Sequence, residues 1–375
     1  MNSNLYDKLF ILIRSGLDIE CSTSDISIAD YESILDLSER HSITPIIYRG
    51  IQKCGGTKEA LSVFEKSMNK VLAQTIRNGD ALKRISNALN DSCIKYIPLK
   101  GAVLKELYPD PLLRTSTDVD ILVAEEDLYS AIEIIEKYTD FVFKKRYYHD
   151  VSMFSPSVHL ELHYNINENM KNLDKLLSHA WDYAVLDSRY CYKFTPEFQV
   201  FYVLSHMCFH MIKGGLGIRP LLDLWLLRNK THFCDSEVVG MCSECGILTF
   251  YEKCCMLVDC WMEGKSVPEE LQIFESYVLN GGLFGCTETA LASKQRDNKF
   301  IYYFHRIFLS KNLLEIDYPL LKEKAFLYPV FLIKRWFNLL KSDKRKSVKN
   351  EIHCINSFDS DKIDAYNNLL SSLGL

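Results

Sequence analysis

Residues 114–123 read RTSTDVDILV and contain the most informative strand of the chain. The second half of this stretch has the aliphatic, β-branched composition of a buried strand, yet it contains Asp118 and Asp120. Because side chains alternate along a strand, the two aspartates share one face and the aliphatic residues share the other. An unpaired carboxylate in a sheet core is costly, so this face needs a cationic partner.

A third carboxylate follows in a second strand-like run, VHLELHYN, at residues 158–165. Its alternation places Glu161 on one face with His159 and His163, which is typical of a site rather than a core. Carboxylate oxygens are the ligands that Mg²⁺ prefers, and a two-metal site for phosphoryl displacement needs a third carboxylate from a neighbouring strand. Together with the two aspartates, Glu161 therefore predicts a metal site.

A turn suited to phosphate lies upstream, in LKGAVLKELY at residues 99–108. Lys100 and Gly101 stand where a short β-rich run changes to a helix, and backbone N–H groups at such a turn can bind anions. The lysine adds a point charge. A plain turn with a surface lysine is the alternative interpretation of the same residues.

The chain divides into three regions by its apolar spacing. Residues 1–90 read as an N-terminal helical region, and residues 193–375 as a C-terminal helical domain. Residues 91–192 read as strand, helix, strand, helix and then antiparallel strands. We predict an α+β fold, in which a small mixed sheet with flanking helices is embedded between the two helical regions.

Several boundaries inside these regions have specific signals. Ser27 or Asp30 is a candidate N-cap for an amphipathic helix in the first region. The SPS at residues 155–157 marks a hairpin turn. Thr195 as N-cap and Pro196 at the first helical position begin the C-terminal region.

These motifs resemble the nucleotidyltransferase superfamily with the DNA-polymerase-beta-type fold, in which a turn opens a helix, an hDhDh strand follows, and a third acidic residue lies on a later strand. More narrowly, the chain is similar to an uncharacterised bacterial nucleotidyltransferase family in PLKGAVLKELYPDPLLRTSTDVDILV, VHLELHYN and LSHMCFHMIKGGLGIRPLLDL. The resemblance is specific across residues 96–230. The chain departs from it in having Lys100-Gly101 where many members carry Gly-Ser.

The resemblance implies transfer of a nucleoside monophosphate from an NTP co-substrate to an acceptor hydroxyl, with release of pyrophosphate. It also implies two Mg²⁺ ions, with Mn²⁺ as an alternative. Asp118 and Asp120 would bind the nucleotide-bound ion, with Asp120 bridging both ions, and Glu161 would complete the second ion and help to deprotonate the acceptor. The implied cofactor-binding residues are Lys100, Gly101, Arg114, Ser116, Lys213 and Arg219.

Some of these residues have structural alternatives. Arg114 could equally pair with an aspartate, and Asp223 is the simplest ion-pair partner for Arg219, one helical turn before it. His206 and His210 have a spacing that suits a metal, but packed or hydrogen-bonded histidines are the favoured interpretation.

The function has alternatives as well. A non-catalytic protein on the same scaffold would bind a nucleotide or a partner, and a metal-dependent nuclease would use the same carboxylates with water as the nucleophile. The intact set of three carboxylates favours an active transferase. The acceptor stays open between a small molecule, a protein side chain and an RNA end.

Composition narrows the class of protein. The chain has 375 residues, of which 47% are hydrophobic and 25% charged, as in an ordinary folded soluble protein. A formal charge of -5 disfavours a protein that coats nucleic acid. The N-terminus is a poor signal peptide, apolar runs are too short to span a bilayer, and 13 irregularly spaced cysteines indicate reduced thiols. These features predict a cytoplasmic protein.

Two further segments have competing interpretations. Cys242 and Cys245 could open a zinc site, but no matching second pair follows, so helical packing of the cysteines up to Cys260 is favoured. The basic amphipathic segment at residues 331–351 could make a weak contact with a membrane surface or an RNA. A terminal helix that packs its apolar face is the favoured interpretation of that segment.

Overall fold

The structure is a computed structural model and describes residues 3–19, 26–283, 324–339 and 360–375, together with positions 308, 314, 318 and 321. The α-helices of this part of the chain are α1 (Ser3–Gly16), α2 (Ile28–Arg40), α3 (Thr44–Lys53), α4 (Lys58–Asp91), α5 (Gly101–Leu104), α6 (Leu128–Tyr138), α7 (Lys171–Leu177), α8 (Pro196–Lys213), α9 (Ile218–Lys230), α10 (Asp235–Glu244), α11 (Leu248–Glu263), α12 (Glu269–Asn280), α13 (Tyr328–Leu339) and α14 (Ser360–Ser372).

The strands of the described residues form one mixed sheet of seven, in the order β3-β4-β5-β2-β1-β7-β6. They are β1 (Tyr96–Pro98), β2 (Asp118–Val123), β3 (Val142–Arg146), β4 (Asp150–Phe154), β5 (His159–His163), β6 (Ala184–Ser188) and β7 (Cys191–Phe194). The central strand β2 runs parallel to β5 and antiparallel to β1. This architecture confirms the predicted α+β fold.

The two faces of the sheet are covered by different layers. Val119 and Ile121 of β2 are buried against the second half of α4, where Ala81 and Ile85 point, and against α6. Apolar residues on this face leave the aspartates to the opposite face, which α8 covers. The alternation of β2 therefore separates a dry packing face from a polar face.

The helices before and after the sheet share one continuous hydrophobic cluster. Leu12 of α1 and Ile46 of α3 pack in the same cluster as Leu257 of α11 and Phe274 of α12. Four cysteines of the segment weighed above as a zinc site are buried in it: Cys242, Cys245, Cys254 and Cys255. The domain boundaries at residues 90 and 192 stay a prediction.

Local signals placed several elements correctly. Ser27 accepts a hydrogen bond from the backbone N–H of Asp30 in a capping box, and Thr195 caps α8 with Pro196 in its first turn. The turn at 155–157 joins the antiparallel strands β4 and β5. The hairpin of β6 and β7 was not predicted, and α5 is a single turn followed by 3₁₀ turns.

The remaining expectations on architecture concern membranes. Across the described residues, none of the helices has both the length and the apolar character that crossing a bilayer requires. Of the basic segment at 331–351, the part up to Leu339 belongs to α13, and residues 340–351 lie outside the described residues.

Candidate functional site

The parallel pairing of β2 and β5 brings the predicted metal ligands together. Asp118 lies opposite His159, and Asp120 lies opposite Glu161. Ligand atoms of Asp118, His159 and Glu161 lie within 4.8 Å of one another, and so do those of Asp120, Glu161 and His163. Glu161 belongs to both groups, so the three predicted carboxylates form one site.

Asp120 is already engaged by two basic side chains. Lys100 donates from Nζ to Oδ1 of Asp120 at 2.9 Å, and His163 Nε2 lies 3.1 Å from the same oxygen. The Asp120 side chain is 5% exposed and that of Lys100 is 23% exposed. We call Lys100, Asp120 and His163 the Asp120 cluster; it answers the need of a buried carboxylate for a cationic partner.

The charges of this cluster stabilise one another. Burial opposes ionisation of Asp120, but the charge of Lys100 and the hydrogen bond from His163 outweigh it and hold the pKa of Asp120 well below its usual range. Burial also disfavours the imidazolium of His163, yet its contacts with Asp120 and Glu161 raise the pKa of His163 to about 9. The Asp120 carboxylate therefore lies between the Lys100 ammonium and the His163 imidazole, and both contacts favour its anionic form.

Asp118, His159 and Glu161 lie on the more open side of the site. Asp118 is half-buried, and the His159 and Glu161 side chains are 26% and 27% exposed. Burial and the neighbouring carboxylates raise the pKa of Asp118, whereas a hydrogen bond from His163 lowers the pKa of Glu161. Two repelling carboxylates beside an imidazole are a donor set that fits a divalent cation.

The turn that carries Lys100 has an unusual backbone. Lys100 has φ +43° and ψ -113°, in a region that residues other than glycine rarely adopt. A Cβ on Gly101 would lie 2.7 Å from Nη1 of Arg114 and 3.0 Å from Cβ of Ser116, so a larger residue there would force these side chains to shift. Since α5 has just one turn, its N-terminus adds little to the predicted phosphate site.

Arg114 lies in a second buried cluster. Its guanidinium donates to both carboxylate oxygens of Asp223, at 3.2 and 2.9 Å. The hydroxyl of Tyr108 donates to the same carboxylate at 2.7 Å. We call Tyr108, Arg114 and Asp223 the Asp223 cluster. Among the described residues, the ion-pair partner of Asp223 is therefore Arg114, whose guanidinium meets the carboxylate as a fork, and not Arg219, which donates to the Thr115 carbonyl.

Arg219 and Ser116 face the site, whereas Lys213 does not. Arg219 is 8% exposed and donates to the Thr115 carbonyl at 3.0 Å, but its Nε has no hydrogen-bond partner among the described residues. Ser116 donates to the Asp118 carbonyl at 2.9 Å, and Asn78 of α4 donates to the Ser116 carbonyl at 2.8 Å. Lys213 is exposed at the end of α8 and lines none of the three cavities described below.

Three cavities meet at these residues. The small cavity, of about 90 Å³, lies between the Lys100-Gly101 turn, the aspartates and α8. The histidine cavity, of about 240 Å³, also borders Lys100 and Asp118 and is lined further by His149, Glu161, His163, Glu168, His206 and His210. The large cavity, of about 750 Å³, shares Ser116 and Arg219 with the small one.

The histidine cavity contains residues that sequence reasoning missed. Glu168 follows β5 in a loop and lies 2.8 Å from Nδ1 of His206, whose Nε2 lies 2.9 Å from Nε2 of His210. Burial raises the pKa of Glu168 and lowers that of His210 to about 2. The carboxylate that His206 lacked in the sequence thus comes from 38 residues upstream, and no periodic pattern marks it.

A mixed sheet that presents clustered carboxylates beside a strand-to-helix turn is the arrangement expected of a nucleotidyltransferase. The model of the uncharacterised nucleotidyltransferase family matches residues 27–263, and the chain belongs to this family. The match includes the whole sheet and α8. No curated protein and no solved structure matches the chain. Nucleotidyl transfer in general is the activity that family membership supports.

Proposed function

We propose that the protein transfers a nucleoside monophosphate from an NTP to an acceptor hydroxyl with the help of a divalent cation. One observation carries the proposal: β2 and β5 align Asp118, Asp120 and Glu161 on a single polar face that opens into cavities. Asp120 has Lys100 and His163 as partners, but burial and the neighbouring carboxylates disfavour the charge of Asp118, and a divalent cation of the kind that phosphoryl transfer uses would offset this repulsion.

Asp118, His159 and Glu161 are the residues that would hold the cation, beside Asp120, whose carboxylate contacts Lys100 and His163. Oxygen donors favour Mg²⁺, and the imidazole of His159 makes Mn²⁺ a suitable replacement. A bound cation would neutralise negative charge on the phosphate that is attacked. The residues of the open side fit this role, because the Asp118 side chain accepts no hydrogen bond from any described residue.

The triphosphate would occupy the space where the small and large cavities meet. The Nε–H of Arg219 is buried there without a partner in the described part of the chain, and Ser116 lines both cavities. Lys70 and Arg77 of α4 line the large cavity, which is of the size that small-molecule ligands occupy. These groups would offset the charge of the NTP and orient it.

In the transfer, the acceptor oxygen forms a bond to the α-phosphorus of the NTP. The bond between the α-phosphorus and the bridging oxygen breaks, and the electron pair leaves with pyrophosphate. The acceptor proton passes to Glu161, which lines the histidine cavity. The chain contributes mainly by positioning the reactants and by placing charge where the transition state needs it.

The test is release of pyrophosphate from each labelled NTP with Mg²⁺ and a panel of small-molecule, protein and RNA acceptors. Activity should fall on the order of 10³-fold in Asp118→Asn. Asp182→Asn, at a side chain that is 76% exposed, is the matched control and should keep full activity. No release with any NTP and acceptor, or equal activity of Asp118→Asn and wild type, would contradict the proposal. NTP binding without turnover would instead identify a non-catalytic scaffold.

A further inference from the structure

The contacts of the Asp120 carboxylate bear on how many divalent cations this site can hold. A carboxylate that bridges two divalent ions must offer an oxygen to each ion at about 2.0–2.1 Å for Mg²⁺. In this chain, Oδ1 of Asp120 accepts from Lys100 at 2.9 Å and faces His163 at 3.1 Å. A second divalent ion on that oxygen would have to displace an ammonium and would meet its repulsion.

We propose that the ammonium of Lys100 is a fixed cation of the active site that takes the place of a second divalent ion, so that transfer proceeds with one ion, held by Asp118, His159 and Glu161. The inference rests on the proposed function. It also departs from the two-ion expectation, in which Asp120 bridges both ions.

The backbone at Lys100 supports this role independently. Its φ of +43° places a lysine where glycine is the residue of low strain, and strained backbone tends to be kept where a side chain is needed. With this backbone conformation, Lys100 directly precedes α5 while its side chain returns to β2. A glycine in its place would relax the backbone but would leave Asp120 without this cation.

The position of the ammonium suits contact with a phosphate. Lys100 lines both the small cavity and the histidine cavity, and its side chain keeps 23% of its surface exposed. By contrast, no lysine or arginine of the described residues is in hydrogen-bond contact with Asp118, His159 or Glu161, which would hold the divalent ion. Lys100 therefore stands between the carboxylate that it neutralises and the space that a phosphate would enter.

The role is electrostatic, and the bonds made and broken are those of the proposed transfer. The acceptor oxygen bonds to the α-phosphorus, pyrophosphate leaves with the electron pair, and Lys100 keeps all its protons. Its charge would stabilise the negative charge that develops on the phosphate oxygens, a task that a second ion performs in two-ion sites.

The test counts bound ions. Equilibrium dialysis with Mn²⁺, alone and with inorganic tripolyphosphate, should give one Mn²⁺ per wild-type chain and two per chain of Lys100→Met, which has a similar shape but no charge. Lys144→Met, at an exposed position of β3, is the matched control and should bind one ion. Two ions in the wild-type chain overturn the inference, and this count stands even if Lys100→Met fails to fold.

The rate gives a second readout. Lys100→Met should lower transfer by about 100-fold, and part of the loss should be recovered as the Mn²⁺ concentration rises. An unchanged rate, or one ion in both proteins, overturns the inference. Failure of the proposed function looks different, because a chain that binds no Mn²⁺ and releases no pyrophosphate would remove both proposals. Two bound ions with normal transfer would remove only this one.

Discussion

Two buried charge clusters flank the start of β2, and they differ in what surrounds them. In the Asp223 cluster, the side chains of Arg114 and Asp223 are 6% and 4% exposed, and both carboxylate oxygens accept from the guanidinium. In the Asp120 cluster, Lys100 meets one oxygen of Asp120 and stays partly exposed at a cavity wall. Both clusters border the small cavity, but only the Asp120 cluster also borders the histidine cavity, so we call the Asp223 cluster closed and the Asp120 cluster open.

Arginine and lysine suit the two clusters for different physical reasons. The guanidinium of Arg114 is a rigid fork that fixes the geometry of the Asp223 cluster. Its contacts with Asp223 occupy N–H groups that could otherwise bind a ligand. The ammonium of Lys100 is a compact charge on a flexible stem, so it can neutralise Asp120 and still meet a ligand. We therefore expect mutations in the closed cluster to affect stability and mutations at the open site to affect chemistry.

The largest expected effect is on chemistry at the open site. Glu161→Gln should lower the rate of nucleotidyl transfer on the order of 10³-fold, which corresponds to about 4 kcal/mol, because it removes the charge shared by both ligand groups. Steady-state kinetics and thermal unfolding would measure this. Glu133→Gln, exposed on α6, is the control. A large loss of folding stability in Glu161→Gln would contradict the expectation that mutations at the open site affect chemistry rather than stability.

The next effect is on stability at the closed cluster. Arg114→Ala should lower the free energy of unfolding by about 3–5 kcal/mol, because it leaves the buried carboxylate of Asp223 unpaired. Urea unfolding would measure it, and a double variant, Arg114→Met with Asp223→Leu, should regain part of the loss. If Arg114→Ala instead kept its stability and lost affinity for NTP, the predicted phosphate contact of Arg114 would be correct.

His41 is a buried titratable residue whose two hydrogen-bond partners are uncharged backbone groups. His41 accepts from the Ile218 N–H and donates to the Leu279 carbonyl, and burial lowers its pKa to about 4. The unfolded chain takes up this proton near pH 6.5, so the stability is complete above that pH and is lost as pH falls toward 4, by about 3 kcal/mol in all. Unfolding measured from pH 7 to 4 should show this loss, and His41→Gln should make the slope shallower by the share of His41, because His210, whose pKa burial also lowers, contributes in both proteins; equal slopes would refute it.

The smallest expected effect concerns Gly101, which follows Lys100 in the chain and lies against Arg114 of the Asp223 cluster. Gly101→Ala would place a Cβ 2.7 Å from Nη1 of Arg114, so it should destabilise the chain by about 1–3 kcal/mol through overpacking. Gly79→Ala in α4, whose added Cβ would meet nothing within 4 Å, should be neutral or stabilising by up to about 1 kcal/mol. Equal thermal midpoints for both variants would show that the turn adapts.

The sequence predicted the parts of the site that obey a local period. The alternation of β2 and β5 put the carboxylates on one face, and hydrogen-bonding residues at Ser27 and Thr195 marked helix starts. Both signals act within a few residues of the chain, so they can be recognised without the fold. The identity of the site residues as ligands stays a prediction.

What the sequence did not reveal depends on contacts between distant residues. Arg114 pairs with Asp223 across 109 positions, and Glu168 reaches His206 from a loop. The hairpin of β6 and β7 was missed because its first strand is mostly exposed and shows no alternation of buried and exposed residues. Such pairs form only when folding brings distant polar groups into the same buried, low-dielectric environment.

The hydrophobic cluster shared by the first and the last helices has a consequence for synthesis. Arg14 of α1 donates to the carbonyl of Trp261, and His41 meets Leu279, which lies 238 residues later. At roughly 5–20 residues per second, a ribosome needs on the order of 10–50 s to supply those partners. The helices that leave the ribosome first therefore keep part of their apolar surface uncovered until α11 and α12 emerge.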